Sequence, residues 1–302
     1  SATATTTGGK LWVVGGTSGA LSAALSTVLS YSPTTNTWTS ETTSGTYTPV
    51  SFAAYARYGT KIYVFGGFSA TGTAVSTTQI FNTTTLTWSA GGALPAAMAH
   101  GTAVAVGSKI LVLGGTSVNA ATAWAVSTMN ALYDPATDTA TAQTALGGTT
   151  GQGSEKCAVA DGTAVVHNTS RTAAATITAA TQQFFLNAGL SPATPTTTTL
   201  GTTFTNRSGV ACVLYNPESS GNNNFILAIG GLTANTANTG GFVGGANNTA
   251  GGAGTLTAWT SVTTVQNLGA PYTGAWGTSL ALPTATSFAG AAILSDVLYV
   301  VG

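Results

Sequence analysis

The chain has 302 residues, seven basic and seven acidic side chains that cancel to zero, and only 5% charged residues, where an ordinary soluble domain carries about a quarter. Without a cluster of Lys or Arg nothing is present to neutralise a phosphate backbone, which excludes nucleic acid as a partner. Apolar runs of about five or six residues, against the roughly 18 that a spanning helix needs, exclude a helical membrane span.

Hydrophobic residues make up 43% of the chain and Thr about a fifth, with 39 Gly. Such a composition buries a core in short β-branched strands broken by frequent turns, so the expected class is all-β and not disordered. Ser1 to Ala4 show neither the basic start nor the apolar stretch of a secretory leader, as in a secreted chain whose leader has been removed.

Taken in chain order, residues 9–16 read Gly-Lys-Leu-Trp-Val-Val-Gly-Gly and end on the pair Gly15-Gly16. Residues 59–67 repeat the pattern and end on Gly66-Gly67; residues 107–115 repeat it again and end on Gly114-Gly115. The period is about 50 residues, in the range where a repeat decides the architecture. At 161–168 the strand recurs with His167-Asn168 where the Gly pair belongs, so one repeat is degenerate. The pattern returns at 224–231, ending on Gly230-Gly231, and once more at 296–302.

Further marks follow each Gly pair. A strand with an aromatic residue leads to a Trp, as Tyr31 to Trp38 and Phe81 to Trp88, whereas the third repeat runs from Tyr133-Asp134-Pro135 to Ala140 and lacks the wedge. Leu94-Pro95 and Leu282-Pro283 precede alternating runs expected to be half-buried strands. Together these residues resemble the kelch repeat, strongly over 9–140, weakly over 150–200 and moderately over 205–302. The resemblance implies a single all-β domain over 1–302, a kelch-type β-propeller of four-stranded blades, similar to the central domain of galactose oxidase. Trp38 and Trp88 are then expected to pack between blades.

About five and a half blades are expected in the chain, with six or seven in a complete ring. The half blade is completed either by a continuation past residue 302 or by a strand donated from another subunit, which would build a filament. In such a propeller Cys157 and Cys212 fall on the first strands of consecutive blades, where they either form a disulfide or stay as buried thiols. Four N-glycosylation sequons begin at Asn82, Asn168, Asn206 and Asn247. The stretch 191–199 has the Pro/Thr character of an O-glycosylated segment or of a plain polar loop.

No catalytic, metal or cofactor site is legible. The copper radical oxidases that share this resemblance need two Tyr, two His and a crosslinked Cys, and here the only His, His100 and His167, lie in different repeats. Asp134, Asp138, Glu155, Asp161, Glu218 and Asp296 form no paired acid/base motif, and Gly240 to Gly245 lack the Lys-Ser/Thr of a phosphate cradle. The connections 17–26, 68–77, 116–128 and 232–258 all follow a second strand, so a propeller gathers them on one rim, where ligands bind. The expectation is a non-enzymatic, secreted, glycosylated interaction or structural module of the cell surface or extracellular space. Its rim would take a protein or carbohydrate ligand, and its zero net charge permits self-association. The alternative is a diverged copper oxidase propeller separated from its catalytic domain.

Overall fold

A Gly-bearing turn at residues 8–9, 59 or 107 reverses the chain between the first two strands of each of the first three repeats, with every one of these glycines at positive φ. The computed structural model describes residues 4–17, 24–116, 127, 129–143, 157–162, 164–173, 176–185, 207, 209–216, 224–234, 259–270, 275–279, 281–286 and 289–302, with only the backbone given for 164–185, 232–234 and 259–261. All regular structure among them is β. The first sheet holds β1 (Ala4–Thr7), β2 (Lys10–Val14), β3 (Val28–Ser32) and β4 (Thr37–Ser40) in that order. The second holds β5 (Ala54–Tyr58), β6 (Lys61–Phe65), β7 (Thr78–Asn82) and β8 (Thr87–Gly91). The third holds β9 (Thr102–Val106), β10 (Lys109–Leu113), β11 (Asn130–Asp134) and β12 (Thr139–Ala142).

The degenerate repeat forms a three-stranded sheet of β13 (Cys157–Asp161), β14 (Ala164–Ala173) and β15 (Thr176–Phe185). With His167 and Asn168 in place of a Gly pair the backbone does not turn, and β14 and β15 run on for 10 residues each as one long hairpin. The fifth sheet is β16 (Ala211–Tyr215), β17 (Phe225–Ile229), β20 (Val265–Gly269) and β21 (Gly277–Thr278). Between its members, β18 (Leu232–Ala234) pairs with β19 (Trp259–Ser261), so the two ends of the long 232–258 connection are zipped together. The sixth sheet has two strands, β22 (Gly290–Leu294) and β23 (Val297–Val301).

Alternation along each second strand turns its side chains to two different neighbours. From β6, Ile62 and Val64 pack with Trp12 and Val14 of the first sheet, while Tyr63 and Phe65 pack with Ile110, Val112 and Tyr133 of the third. Leu111 and Leu113 then meet Ala158 and Ala160 of the fourth sheet, and Cys157 and Val159 of the fourth meet Ile226 and Leu268 of the fifth. Val213 and Ile229 of the fifth meet Ala291 and Leu298 of the sixth. The last contact returns to the start: Thr6 Oγ1 donates to the Ile293 carbonyl at 3.3 Å, and the Tyr299 ring packs at a tilt against Tyr31. Six sheets therefore close a propeller ring; among the described residues four of them have four strands, one has three and one has two. The core lies between blades rather than within any one of them.

The four Gly pairs share one conformation, φ 62 to 65° at the first residue and 93 to 105° at the second. At Gly66 the reason is visible. A Cβ there would lie 2.3 Å from the Met98 carbonyl oxygen, and the neighbouring Gly67 amide donates to that same oxygen at 2.7 Å. The pair is thus the point where one blade grips the chain entering the next, and only glycine allows that approach.

The two tryptophans part company. Trp88 is buried, with Tyr47 stacked on it at 4.1 Å and Phe81 at 5.0 Å. Trp38, expected to pack between blades, is 49% exposed instead. Its only ring partner among the described residues is Tyr31, at 5.1 Å. The difference has a local cause. The connection between β4 and β5 lies along β8, where the Ser44 amide donates to the Leu86 carbonyl and the Trp88 amide donates to the Ser44 carbonyl, and so carries Tyr47 onto Trp88; no described segment lies on β4 in the same way.

Candidate functional site

Each second strand delivers the chain to the same end of the ring, so the connections after β2, β6, β10 and β17 leave from one rim. The connection at 68–77 is fully described. Phe68 is buried at its base and bridges both Ser51 and Ala74, while the tip is a chain of hydroxyls, Ser69 Oγ to Thr71 Oγ1 at 2.9 Å and on to Thr73 Oγ1 at 3.4 Å. Phe68 also stands edge-on to His100 at 5.5 Å, and Phe52 stacks on the other side of that imidazole at 4.3 Å. Phe52 and His100 hold equivalent places just before the first strands of consecutive blades, both at positive φ, and the His100 amide donates to the Phe52 carbonyl. This aromatic stack forms a rigid floor under the rim.

The long connections carry no charge. None of the four connections, 17–26, 68–77, 116–128 and 232–258, contains a Lys, Arg, His, Asp or Glu. Most residues of the other three connections lie outside the described residues, and only their anchoring strands are placed. Charged side chains gather at the opposite rim, on the hairpin turns: Lys10, Lys61, Lys109, Arg57, Asp134, Asp138 and Asp296 all sit at or beside a turn there. Lys109 pairs with Asp134, which holds that carboxyl below the usual carboxylate range. The Tyr133 hydroxyl donates to Asp138, whose carboxylate also accepts from the Gly92 amide at 3.1 Å. That bridge joins the second and third blades where Ala140 supplies no Trp.

Asn82 ends β7 on the charged rim. Its Oδ1 accepts from the amides of Thr84 at 2.9 Å and Thr85 at 3.3 Å, an Asx turn that presents the sequon at the surface. Asn168 is placed only by its backbone, opposite Cys157 and Thr181. Asn206, Asn247 and the 191–199 stretch lie outside the described residues. Cys157 and Cys212 are brought together as a disulfide, Cα atoms 5.4 Å apart, joining the innermost strands β13 and β16 of neighbouring blades.

Two groups escaped the sequence reading. Trp276 lies opposite Leu268 in register, the place that Trp88 holds opposite Phe81, and it is buried against Cys157 and Val159. The turn before it is one residue longer, which hides the spacing. Arg207 is fully buried and donates to the Thr264 carbonyl at 2.8 Å and to Gln266 Oε1 at 2.9 Å. Burial lowers its pKa to about 10, which leaves it charged at neutral pH. It occupies the place of Met98 in the third blade and Val50 in the second, so a polar clamp replaces an apolar plug there. Among the described residues no group of three His, Cys, Asp or Glu side chains is close enough to hold a metal ion. No helix among them is long and apolar enough to cross a membrane.

Comparison with known proteins agrees with this geometry. The family profile of the KLHDC2/KLHL20/DRC7 Kelch-repeats domain matches residues 1–188. The Kelch-like protein terF of Aspergillus terreus is 38% identical over 89 residues, which are 28% of this chain and 19% of that protein, so the match spans about a fifth of its length. Among solved structures, that of YjhT superposes with a TM-score of 0.71 at 13% identity, covering 99% of this chain and 89% of YjhT, a likeness of fold alone.

Proposed function

The chain belongs to the kelch-repeat propellers, a family whose domains generally serve as protein-interaction modules, and from that premise we propose that it is a non-enzymatic module that binds an uncharged polar partner on its loop rim. The observation that carries this reading is the distribution of charge: the four long connections have hydroxyls, amides and backbone but no ionic group, while Lys10, Lys61, Lys109, Arg57, Asp134, Asp138 and Asp296 sit at or beside the hairpin turns at the other end. A surface of that kind recognises hydrogen-bonding patterns, as in a carbohydrate or a neutral protein face, and gains nothing from electrostatic steering.

The proposed setting is the cell surface or extracellular space. The Cys157–Cys212 pairing suits an oxidising compartment, and the Asx turn at Asn82 offers a sequon at the end of the ring away from the ligand rim, so that a glycan there would leave the rim clear. Glycans would supply the solubility that ionic groups do not. Self-association into larger assemblies belongs to the same reading and is supported by the zero net charge. The test is glycopeptide and disulfide mapping of the native material by mass spectrometry, followed by glycan-array binding at two salt concentrations. Hexose or HexNAc on Asn82, linked cysteines and salt-insensitive binding are expected. Free thiols with an unmodified Asn82 would defeat the extracellular setting, and binding that collapses with salt would defeat the neutral-rim reading.

A further inference from the structure

The first strands of neighbouring blades place corresponding residues at one height. β5, β9, β13, β16 and β22 have the same length, and each pairs in the same register with the strand that follows it. Between the second and third blades, the opening residue of one first strand and the second residue of the next are Ala54 and Ala103, both buried in one apolar cluster. Between the fifth and sixth blades the same places hold Ala211 and Ala291, again packed on one cluster. Between the fourth and fifth they hold Cys157 and Cys212, and the contact of small side chains becomes a covalent bond with Cα atoms 5.4 Å apart.

That seam is fastened differently from two others. The second glycine of a pair donates its amide to a carbonyl just before the next first strand, Gly67 to Met98 at 2.7 Å and Gly231 to Thr286 at 2.8 Å. In the fourth blade β14 contains no glycine and runs on, with Thr169 paired to Ala180. The residue that enters the fifth blade in the place of Met98 is Arg207, and its guanidinium reaches into its own blade: Nη1 donates to the Gly230 and Thr264 carbonyls at 2.5 and 2.8 Å, and Nη2 to Gln266 Oε1 at 2.9 Å. Asn224 Nδ2 crosses to the fourth blade and donates to Asp161 Oδ2 at 2.8 Å. First strands run from the rim of the long connections towards the hairpin turns, so Cys157 opens β13 at the rim and Asp161 closes it at the turns. The disulfide thus fastens the rim end of the seam and the Asn224 to Asp161 bond the other end.

We propose that the Cys157–Cys212 bond is a redox-sensitive staple: its reduction by a dithiol opens the rim end of the ring between the fourth and fifth blades and leaves the seam between the second and third shut. Cys212 is only partly buried, which admits an attacking thiolate. That thiolate bonds to one sulfur of the pair, the bond between the two cysteines breaks, and the other cysteine leaves as a thiolate. The second thiol of the reductant then displaces the first cysteine and closes a disulfide on the reductant, so that the chain takes up two electrons and, with two protons, ends as two thiols. Two thiols then stand where other seams have alanines, without a Gly pair to hold the incoming chain. The opening parts the β14–β15 hairpin from the β18–β19 base of the 232–258 connection, which belong to neighbouring blades at the same rim. It is independent of what the rim binds.

The test is native-state hydrogen exchange of the full chain in low urea, before and after dithiothreitol, with alkylation and mass spectrometry counting the thiols at each stage. Reduction is expected to lower the protection of β13 and β16 by at least about tenfold more than that of β5 and β9, the first strands of the second and third blades, and reoxidation to restore it. The double variant Cys157→Ser, Cys212→Ser is expected to show the reduced pattern with or without dithiothreitol. A loss shared equally by all four strands overturns the proposal, because the bond then stabilises the fold as a whole and gates no seam. Unchanged exchange after verified reduction overturns it as well, as does alkylation of both cysteines before dithiothreitol is added. Where the double variant does not fold, the unaltered chain, reduced and reoxidised, decides alone.

Discussion

Tyr31 of the first blade lies 5.7 Å from Tyr299 of the sixth, and this ring pair, with the Thr6 to Ile293 hydrogen bond, is where the propeller meets itself. The pair repeats the contact of Tyr133 with Tyr63, but Tyr63 is buried and Tyr299 only partly so. Tyr63→Ala is therefore expected to cost about 3–5 kcal/mol, as for a large buried ring. Tyr299→Ala should cost nearer the ring–ring part alone, about 1 kcal/mol. Urea midpoints of the two variants, at unchanged m-values, check the order; an equal loss would mean that the seam is as tightly packed as the interior.

The Gly pair gives a sharper comparison. Gly66→Ala forces a Cβ against the Met98 carbonyl at 2.3 Å, whereas Gly59→Ala meets nothing within 4 Å, and both positions have φ near 60°. The conformational cost of about 1–2 kcal/mol is common to both. Gly59→Ala should show that cost alone, and Gly66→Ala should lose at least twice as much or fail to fold. Thermal unfolding of the two variants side by side reads the difference.

Trp88→Ala and Trp38→Ala test whether equivalent repeat positions have equivalent weight. Removing the buried Trp88 is expected to cost about 3–5 kcal/mol, and removing the exposed Trp38 less than about 1 kcal/mol. Chemical denaturation followed by circular dichroism is suitable because it does not depend on the tryptophan being removed.

The Cys157–Cys212 bond closes a loop with a sequence separation of 55. On a chain-entropy reckoning it stabilises the fold by about 4 kcal/mol. Cys212→Ser, or reduction under mild denaturant, should lower the urea midpoint accordingly, and the loss should be the same by either route. A midpoint indifferent to reductant would show that the cysteines carry no bond in the purified protein.

Alkaline pH should weaken the fold from a defined point. Burial raises the hydroxyl pKa of Tyr47 and of Tyr133 well above 10, the Asp138 carboxylate adding to the effect at Tyr133. A group whose folded pKa is raised gives stability that is complete below the unfolded value and is lost as pH rises beyond it. Stability is thus expected to be level up to about pH 10 and to fall above that, where only the unfolded chain can ionise these phenols. Tyr47→Phe should flatten that fall, as urea midpoints between pH 8 and 11 would show.

Much of this architecture was legible because the repeat is written in backbone chemistry. Gly66-Gly67 and its counterparts mark a conformation that other residues resist, so the pairs stand out at any identity of their neighbours. His167-Asn168 was legible for the same reason, as a place where the turn is lost and β14 continues. The fate of Trp38 was not legible, because its burial is decided by a chain segment far away in sequence rather than by its own strand. Trp276 was hidden by one extra turn residue, and Arg207 by its place in a position that other blades fill with Met98 or Val50. The rim was legible only as a location: composition gives its lack of charge, but topology alone shows that the four uncharged connections share an end.

The placement of the aromatic rings gives the molecule an optical consequence. Trp38, wet and next to Tyr31, which in turn touches Tyr299, is a light-harvesting chain laid across the one seam where the first and last blades meet. Excitation absorbed by Tyr299 can pass through Tyr31 to Trp38 only while the seam is shut. Tyrosine-excited emission at the red edge, where the wet Trp38 emits and Trp88 in its dry pocket does not, is therefore expected to fall when that seam opens.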